Sequence, residues 1–211
     1  MENDYNNIVV TIPNRLDDLV LPNPETLDYY KGLEDREIWI TNEIDTDTLD
    51  IARKLMQWNK EDMSIDPNDR RPIKIFFFSN GGDLDINNTL TNLISISHTP
   101  VWGINMGRCM SAAAFIFLAC HKRFMLPDAY FLFHQGSGAF SGTFGEVAAQ
   151  MEDYAEQVRN LSTYMVEHTS YTDEEVSANI GGEWYVRSKE AIEKGVCDEI
   201  LTDLSVLFEN Y

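Results

Sequence analysis

Pro100-Val101-Trp102-Gly103-Ile104-Asn105 is followed by Met106-Gly107-Arg108-Cys109-Met110-Ser111-Ala112-Ala113-Ala114 and an apolar run that ends at Cys120. The first six residues read as a strand. Gly107 reads as the turn that closes it, and an apolar helix is expected from Ser111 to Cys120. Upstream, Lys74-Ile75-Phe76-Phe77-Phe78 is nearly continuously apolar, the pattern of a strand buried on both faces of a parallel sheet. Gly81-Gly82 ends that run, and a helix is expected beyond it with Ile86, Leu90, Leu93, Ile94 and Ser97 on one face. Downstream, Lys122 to Met125 and Tyr130 to His134 read as two further short strands. Alternation of strand and helix predicts an α/β fold with right-handed crossovers.

The flanks complete this pattern. Glu37 to Thr41 reads as a strand, and Ile51, Leu55 and Trp58 place a helix over residues 47–59. Residues 1–26 are polar, carry a β-like run at Ile8-Val9-Val10-Thr11-Ile12, and are broken by Pro13, Pro22 and Pro24, so they read as an arm before a domain spanning 27–211. Between Phe144 and His168, the residues Val147, Met151, Tyr154, Val158, Leu161 and Met165 are spaced 4, 3, 4, 3, 4, an a/d seam. Two readings fit: a helix facing its own core, or one that leaves the body to pack on a partner subunit. Gly136, Gly138 and Gly142 place a possible hinge at its root. Thr172-Asp173-Glu174-Glu175 is a capping box. Ser188 to Gly195 reads as a short helix with Ser188 as N-cap, and Ile200-Leu201 as a closing strand.

Composition narrows the function. Of 211 residues, 16 are Lys or Arg and 35 are Asp or Glu, a net charge of −19, which leaves no cationic surface for a nucleic-acid backbone. No run approaches the roughly 18 apolar residues of a membrane span. Met1-Glu2-Asn3-Asp4 lacks a signal peptide's basic start and apolar run. The three cysteines, Cys109, Cys120 and Cys197, have no CxxC spacing and read as reduced thiols of a cytoplasmic protein, with no structural zinc expected.

Three motifs carry chemistry. Ser111 stands where a strand gives way to a helix, a position that suits a nucleophile near a helix dipole but, taken alone, better suits a plain N-cap. The GxSxG elbow is absent. His134 ends the apolar strand Phe131-Leu132-Phe133 and precedes glycine-rich chain, so it is either a base or a structural histidine; His98, His121 and His168 rank below it as bases. Ser79-Asn80-Gly81-Gly82 can turn backbone N–H groups into a site, as an oxyanion hole requires. No Gly-Lys-Ser/Thr follows it, which excludes a Walker loop. Asp83-Leu84-Asp85-Ile86-Asn87 imitates a calcium loop, but Asn88 and Ile94 stand where Gly and Glu are needed. No cofactor or metal is expected.

Taken in order, these motifs resemble the ClpP family, the proteolytic subunits of the Clp protease. That family shows a Ser-Pro-Gly-Gly turn, Gly-x-Ala-Ala-Ser-Met-Gly around its nucleophile, then Lys-Arg-Phe-x-Leu-Pro and His-Gln. This chain has Ser79-Asn80-Gly81-Gly82, Gly107-Arg108-Cys109-Met110-Ser111-Ala112-Ala113, Lys122-Arg123-Phe124-Met125-Leu126-Pro127 and His134-Gln135. The resemblance spans about Tyr29 to Leu201. It implies a ClpP/crotonase-like fold of repeated ββα units with a protruding handle helix, here residues 136–168. It also implies Ser111 as nucleophile, His134 as general base, and Gly82 and Ala112 N–H groups as the oxyanion hole. Glu183, in Gly182-Glu183-Trp184-Tyr185, stands where the family has the Asp of Asp-Arg-Phe. Heptameric rings stacked around a chamber, polypeptide substrates and an AAA+ unfoldase or a ClpP paralogue as partner follow from the same resemblance.

Four departures bear on that inheritance. Glu183 is one methylene longer than Asp and needs a different rotamer to orient His134. Asn80 replaces a proline and is expected to loosen the oxyanion turn. Trp184 replaces an arginine used between rings, and residues 1–26 do not follow the family's N-terminal sequence. These leave a catalytically impaired ring subunit, acting as scaffold or regulator, as the alternative to an active endopeptidase. A crotonase-type acyl-CoA enzyme is the third reading, and no basic pocket for the CoA phosphates is evident.

Overall fold

Ile73–Ser79 forms a strand because its apolar residues can be covered on both faces, and all but Phe78 are buried. In the computed structural model, which describes residues 24–208, the chain divides between Asp35 and Arg36. The first unit contributes helix α1 (Pro24–Glu34). Most of the expected arm, with the run at Ile8 to Ile12, lies outside the described residues.

The second unit runs β1 (Glu37–Ile40), α2 (Asp50–Glu61), β2 (Ile73–Ser79), α3 (Leu84–Ser95), β3 (Val101–Met110), α4 (Ala112–Leu118), β4 (Lys122–Met125), β5 (Tyr130–Phe133), α5 (Phe144–His168), α6 (Asp173–Asn179), β6 (Trp184–Arg187), α7 (Ser188–Glu193) and β7 (Glu199–Ile200). The sheet order is β1-β2-β3-β4-β7, with β5 joined to β3 and β6 joined to β5. Every pairing is parallel except β5 with β6.

The central strand departs from the sequence expectation. Gly107 makes no turn; it lies inside β3, which continues to Met110. The reason is a change of neighbour. Residues Trp102 to Asn105 pair with β4, whereas Arg108 to Met110 pair with β5, so the second half of β3 finds its own partner. The Phe78 ring fills the space where a side chain at position 107 would go. Asn105, fully buried, holds the junction: its Nδ2 donates to the Tyr130 carbonyl at 2.9 Å and its Oδ1 accepts from the Gly107 N–H at 3.0 Å.

All seven residues of α4 are buried, as an all-round apolar helix requires. Its Phe117 meets Phe77 and Phe131 at centroid distances of 5.5 and 4.9 Å, and Phe115 meets Phe133 at 5.6 Å. Helix α5 contrasts with it. Thr143 and Glu146 cap its start reciprocally, but only Leu161 and Met165 of its seam are buried. Phe144 is 92% and Met151 55% exposed, so its N-terminal part stands clear of the second unit's core. The Thr172–Glu175 capping box forms as expected. Ser188 is instead the first residue of α7, whose N-cap is Arg187 with no side-chain cap; β6 runs straight into the helix and leaves no loop for Ser188 to occupy.

A charged cluster anchors the sheet edge. Arg36 grips Asp62 with two bonds, of 2.7 and 2.8 Å, and Thr99 donates to the same carboxylate at 2.8 Å. The Arg36 bond holds the Asp62 carboxyl below the ordinary carboxylate range. A depressed folded pKa gives stability that is complete above the unfolded value, about 3.9, and is lost as pH falls through the folded value. Asp62→Ala is therefore expected to cost about 3–5 kcal/mol at pH 7, because it removes the buried carboxylate that accepts two Arg36 bonds and the Thr99 hydroxyl. The gap from wild type should narrow below about pH 4 in urea denaturation.

Candidate active site

Ser111 makes the whole reversal between β3 and α4, with φ +51° and ψ −129°. A residue bearing a Cβ sits there at a cost on the order of 1–3 kcal/mol. Its N–H donates to the Leu132 carbonyl at 2.8 Å, and its carbonyl accepts from Ala114 and Phe115, so the strand is tied to β5 as the helix starts. Ser111 occupies the N-cap position, but its hydroxyl makes no capping bond. It meets His134 instead: Oγ and Nε2 are 2.8 Å apart, and both residues are half-buried. The parallel register that sets Met110 beside Leu132 brings the two to one end of the sheet.

The Ser79–Gly82 turn packs directly on this serine. A Cβ at Gly81, which has φ +96°, would lie 2.6 Å from the Met110 carbonyl oxygen and 2.7 Å from the Ser111 Cβ. Gly82 forms a parallel bridge with Ile44, whose N–H donates to Gly81 and whose carbonyl accepts from Asp83, both at 2.8 Å. A side chain at Gly82 would run into the Ile44 backbone. Because the flanking residues make the bridge, Gly82 turns its own N–H away from Ile44. Ala112, first in α4, has no intrahelical acceptor for its N–H. Among the described residues neither N–H has a hydrogen-bond partner. Where a loose turn was expected from Asn80, Ser79 pins it: its Oγ accepts from the Gly81 N–H at 3.1 Å and donates to the Asn42 carbonyl at 2.5 Å.

Glu183 lies just before β6. The antiparallel register sets Phe133 opposite Trp184 and Leu132 opposite Tyr185, so its continuation sets His134 opposite Glu183. The exposed Glu183 carboxylate nevertheless accepts from the Tyr185 hydroxyl at 3.2 Å, and no bond joins it to His134 among the described residues. The structure thus joins Ser111 to His134, sets Gly81–Gly82 and Ala112 around them, and leaves Glu183 on Tyr185. Trp184 packs against Tyr171 at 4.6 Å and Phe133 at 6.1 Å.

The other polar candidates are occupied elsewhere. His121 Nδ1 accepts from the Val101 N–H at 2.9 Å, and burial lowers its pKa. His168 Nδ1 lies 2.9 Å from the Tyr164 carbonyl, and His98 is exposed. Asp83 caps α3 by accepting from the Asp85 and Ile86 N–H groups. The three cysteines are free and buried, and burial raises each thiol pKa, Cys197 to about 12, which suppresses thiolate chemistry.

Three residues at this site are given no role by the sequence, Ile44, Asn105 and Tyr185, and Ser79 gains one as the pin of its own turn motif. Only Tyr185 had a usable signal, since the two-residue strand period places it on the same face as Glu183.

Comparison with known proteins agrees with this architecture. A ClpP1 point mutant from Listeria monocytogenes superposes with a TM-score of 0.71 at 24% identity, covering 84% of this chain and 98% of the other, which shows the same fold. The Clp protease family model matches residues 23–203, and the chain belongs to that family. The chain is 28% identical over 173 residues to the ATP-dependent Clp protease proteolytic subunit 2 of Treponema denticola, covering 81% of this chain and 84% of that one. The subunit of the same name from Bifidobacterium longum is 25% identical and covers 97% of both chains. Family membership makes this a ClpP-type protease subunit.

The strain at Ser111 is measurable. Glycine alone tolerates this backbone without penalty, so Ser111→Gly should be more stable than Ser111→Ala by about 1–2 kcal/mol in chemical denaturation.

Proposed function

We propose that this chain is a serine endopeptidase subunit of a self-compartmentalised ring protease that degrades unfolded polypeptides. Ser111 is the nucleophile, His134 the general base, Glu183 the carboxylate that orients the imidazole, and the N–H groups of Gly82 and Ala112 the oxyanion hole. The observation that carries this reading is the 2.8 Å contact between Ser111 Oγ and His134 Nε2 at the strained head of α4.

The chemistry follows from that contact. With its proton on Nδ1, His134 accepts the Ser111 hydroxyl proton at Nε2 while Oγ attacks the scissile carbonyl. Negative charge develops on the carbonyl oxygen, and two N–H groups held by backbone need no reorganisation to receive it. The imidazolium returns the proton to the leaving amine, and an acyl group remains on Oγ. Water then attacks that ester as His134 takes the water's proton and passes it back to Oγ.

Assembly completes the reading. The exposure of Phe144 and of Met151 on the α5 seam supports a handle, residues 136–168, that interlocks heptameric rings stacked around a chamber. The names of the relatives support an ATP-driven partner, an AAA+ unfoldase, with a ClpP paralogue as the other candidate. No helix among the described residues is long and apolar enough to cross a membrane, and the proposed setting is the cytoplasm. One observation favours a second reading, a catalytically impaired ring subunit: the Glu183 carboxylate bonds Tyr185 rather than His134.

Labelling with a fluorophosphonate, read by intact mass, separates the two. The expected result is one adduct on Ser111, absent from Ser111→Ala and slowed about a thousandfold or more in His134→Ala. An adduct that persists in Ser111→Ala would overturn the assignment of the nucleophile. No adduct on assembled wild type would favour the impaired subunit.

A further inference from the structure

We infer that Tyr185 is a positioning residue for this site: its hydroxyl and the His134 Nδ1–H compete for the Glu183 carboxylate, and the outcome sets how many subunits hold an oriented imidazole. This inference rests on the reading of Ser111, His134 and Glu183 given above.

Three observations place the competitors together. The β5–β6 register sets His134 opposite Glu183, and directly opposed residues have Cβ atoms about 4.5–5.5 Å apart, within reach of a glutamate rotamer. Tyr185 follows Glu183 by two residues, so both side chains lie on one face of the strand. The 3.2 Å bond between them is already formed, while no bond joins Glu183 to His134 among the described residues.

The two partners differ in freedom. Tyr185 is held by its place opposite Leu132 and by its ring contact with Tyr130 at 5.8 Å, which the Arg187 guanidinium covers at 4.7 Å. Glu183 precedes the strand and is exposed, so its carboxylate is the part that moves. On Tyr185, it leaves the imidazole free to turn and the imidazolium formed in catalysis without a counter-charge. On His134, it fixes the tautomer that presents a basic Nε2 to Ser111. Exposure keeps the Tyr185 bond weak, so the competition is close and removal of one hydroxyl shifts it.

Tyr185→Phe keeps the ring and the strand pairing and deletes only the donor. In the full-length protein it should raise kcat on a fluorogenic peptide about threefold to tenfold, with KM unchanged within about twofold. The fluorophosphonate labelling rate should rise with it. In a Glu183→Ala background the same change should give no gain, because the carboxylate being competed for is gone. The low-field proton resonance of His134 Nδ1–H should strengthen in Tyr185→Phe and be lost in Glu183→Ala, a signature read without turnover. An unchanged resonance in Tyr185→Phe, or a gain that survives in Glu183→Ala, would overturn the inference. If the resonance strengthens while no variant labels Ser111 or cleaves peptide, the competition stands and the peptidase reading fails. If Ser111 labels well and the resonance does not respond, the peptidase reading stands and the competition fails.

Discussion

A strand that runs into a fully buried helix with no loop between them is the constraint on which the site depends. β3 ends at Met110 and α4 begins at Ala112, so Ser111 alone must reverse the chain. The helix cannot slide to relieve that residue, because Phe115 and Phe117 are locked among Phe77, Phe131 and Phe133. Burial of such side chains is worth about 1.5–3 kcal/mol each, which exceeds the strain at one backbone position. The strained residue therefore persists, and its hydroxyl is displaced from the capping role that a relaxed N-cap serine would take. Gly81 follows from the same constraint, since the turn packed against Met110 and Ser111 has no room for a side chain.

The second constraint is the change of partner along β3. One strand pairs first with β4 and then with β5, and the buried Asn105 amide satisfies the backbone where the two diverge. That fork carries β5 to the top of β3 and delivers His134 to Ser111. Because β6 then returns antiparallel on β5, Glu183 arrives from the far side of the same strand. Four separated segments thus meet at one sheet end, with Ile44 bracing the glycine turn from behind.

The long α5 carries the opposite economy. It has a full reciprocal cap and an a/d seam, yet most of that seam is not buried within the chain. Tyr154, on the seam, donates to the Gln135 carbonyl at 3.0 Å and meets Phe140 at 5.6 Å, so the helix touches the segment that follows His134. The seam is divided between two environments: Leu161 and Met165 face the core, while Met151 faces solvent.

Local chemistry made much of this legible in the residues. The period of Ile86, Leu90 and Ile94, the buried run at Ile75 to Phe77, the capping box at Thr172 and the extent of α5 are properties of short windows, where propensity and burial pattern agree. The serine, the histidine and the paired glycines could also be singled out, because each stands at an element boundary. Gly107 misled for the same reason, since a glycine in a window reads as a turn, and only a second strand arriving at Arg108 to Met110 keeps it extended. The 2.8 Å approach of Ser111 to His134, the bond of Ser79 to the Asn42 carbonyl and the bridge of Ile44 to Gly82 depend on contacts between residues far apart in the chain. Such contacts are set by sheet register and by the packing of α4, which no single window of the chain contains.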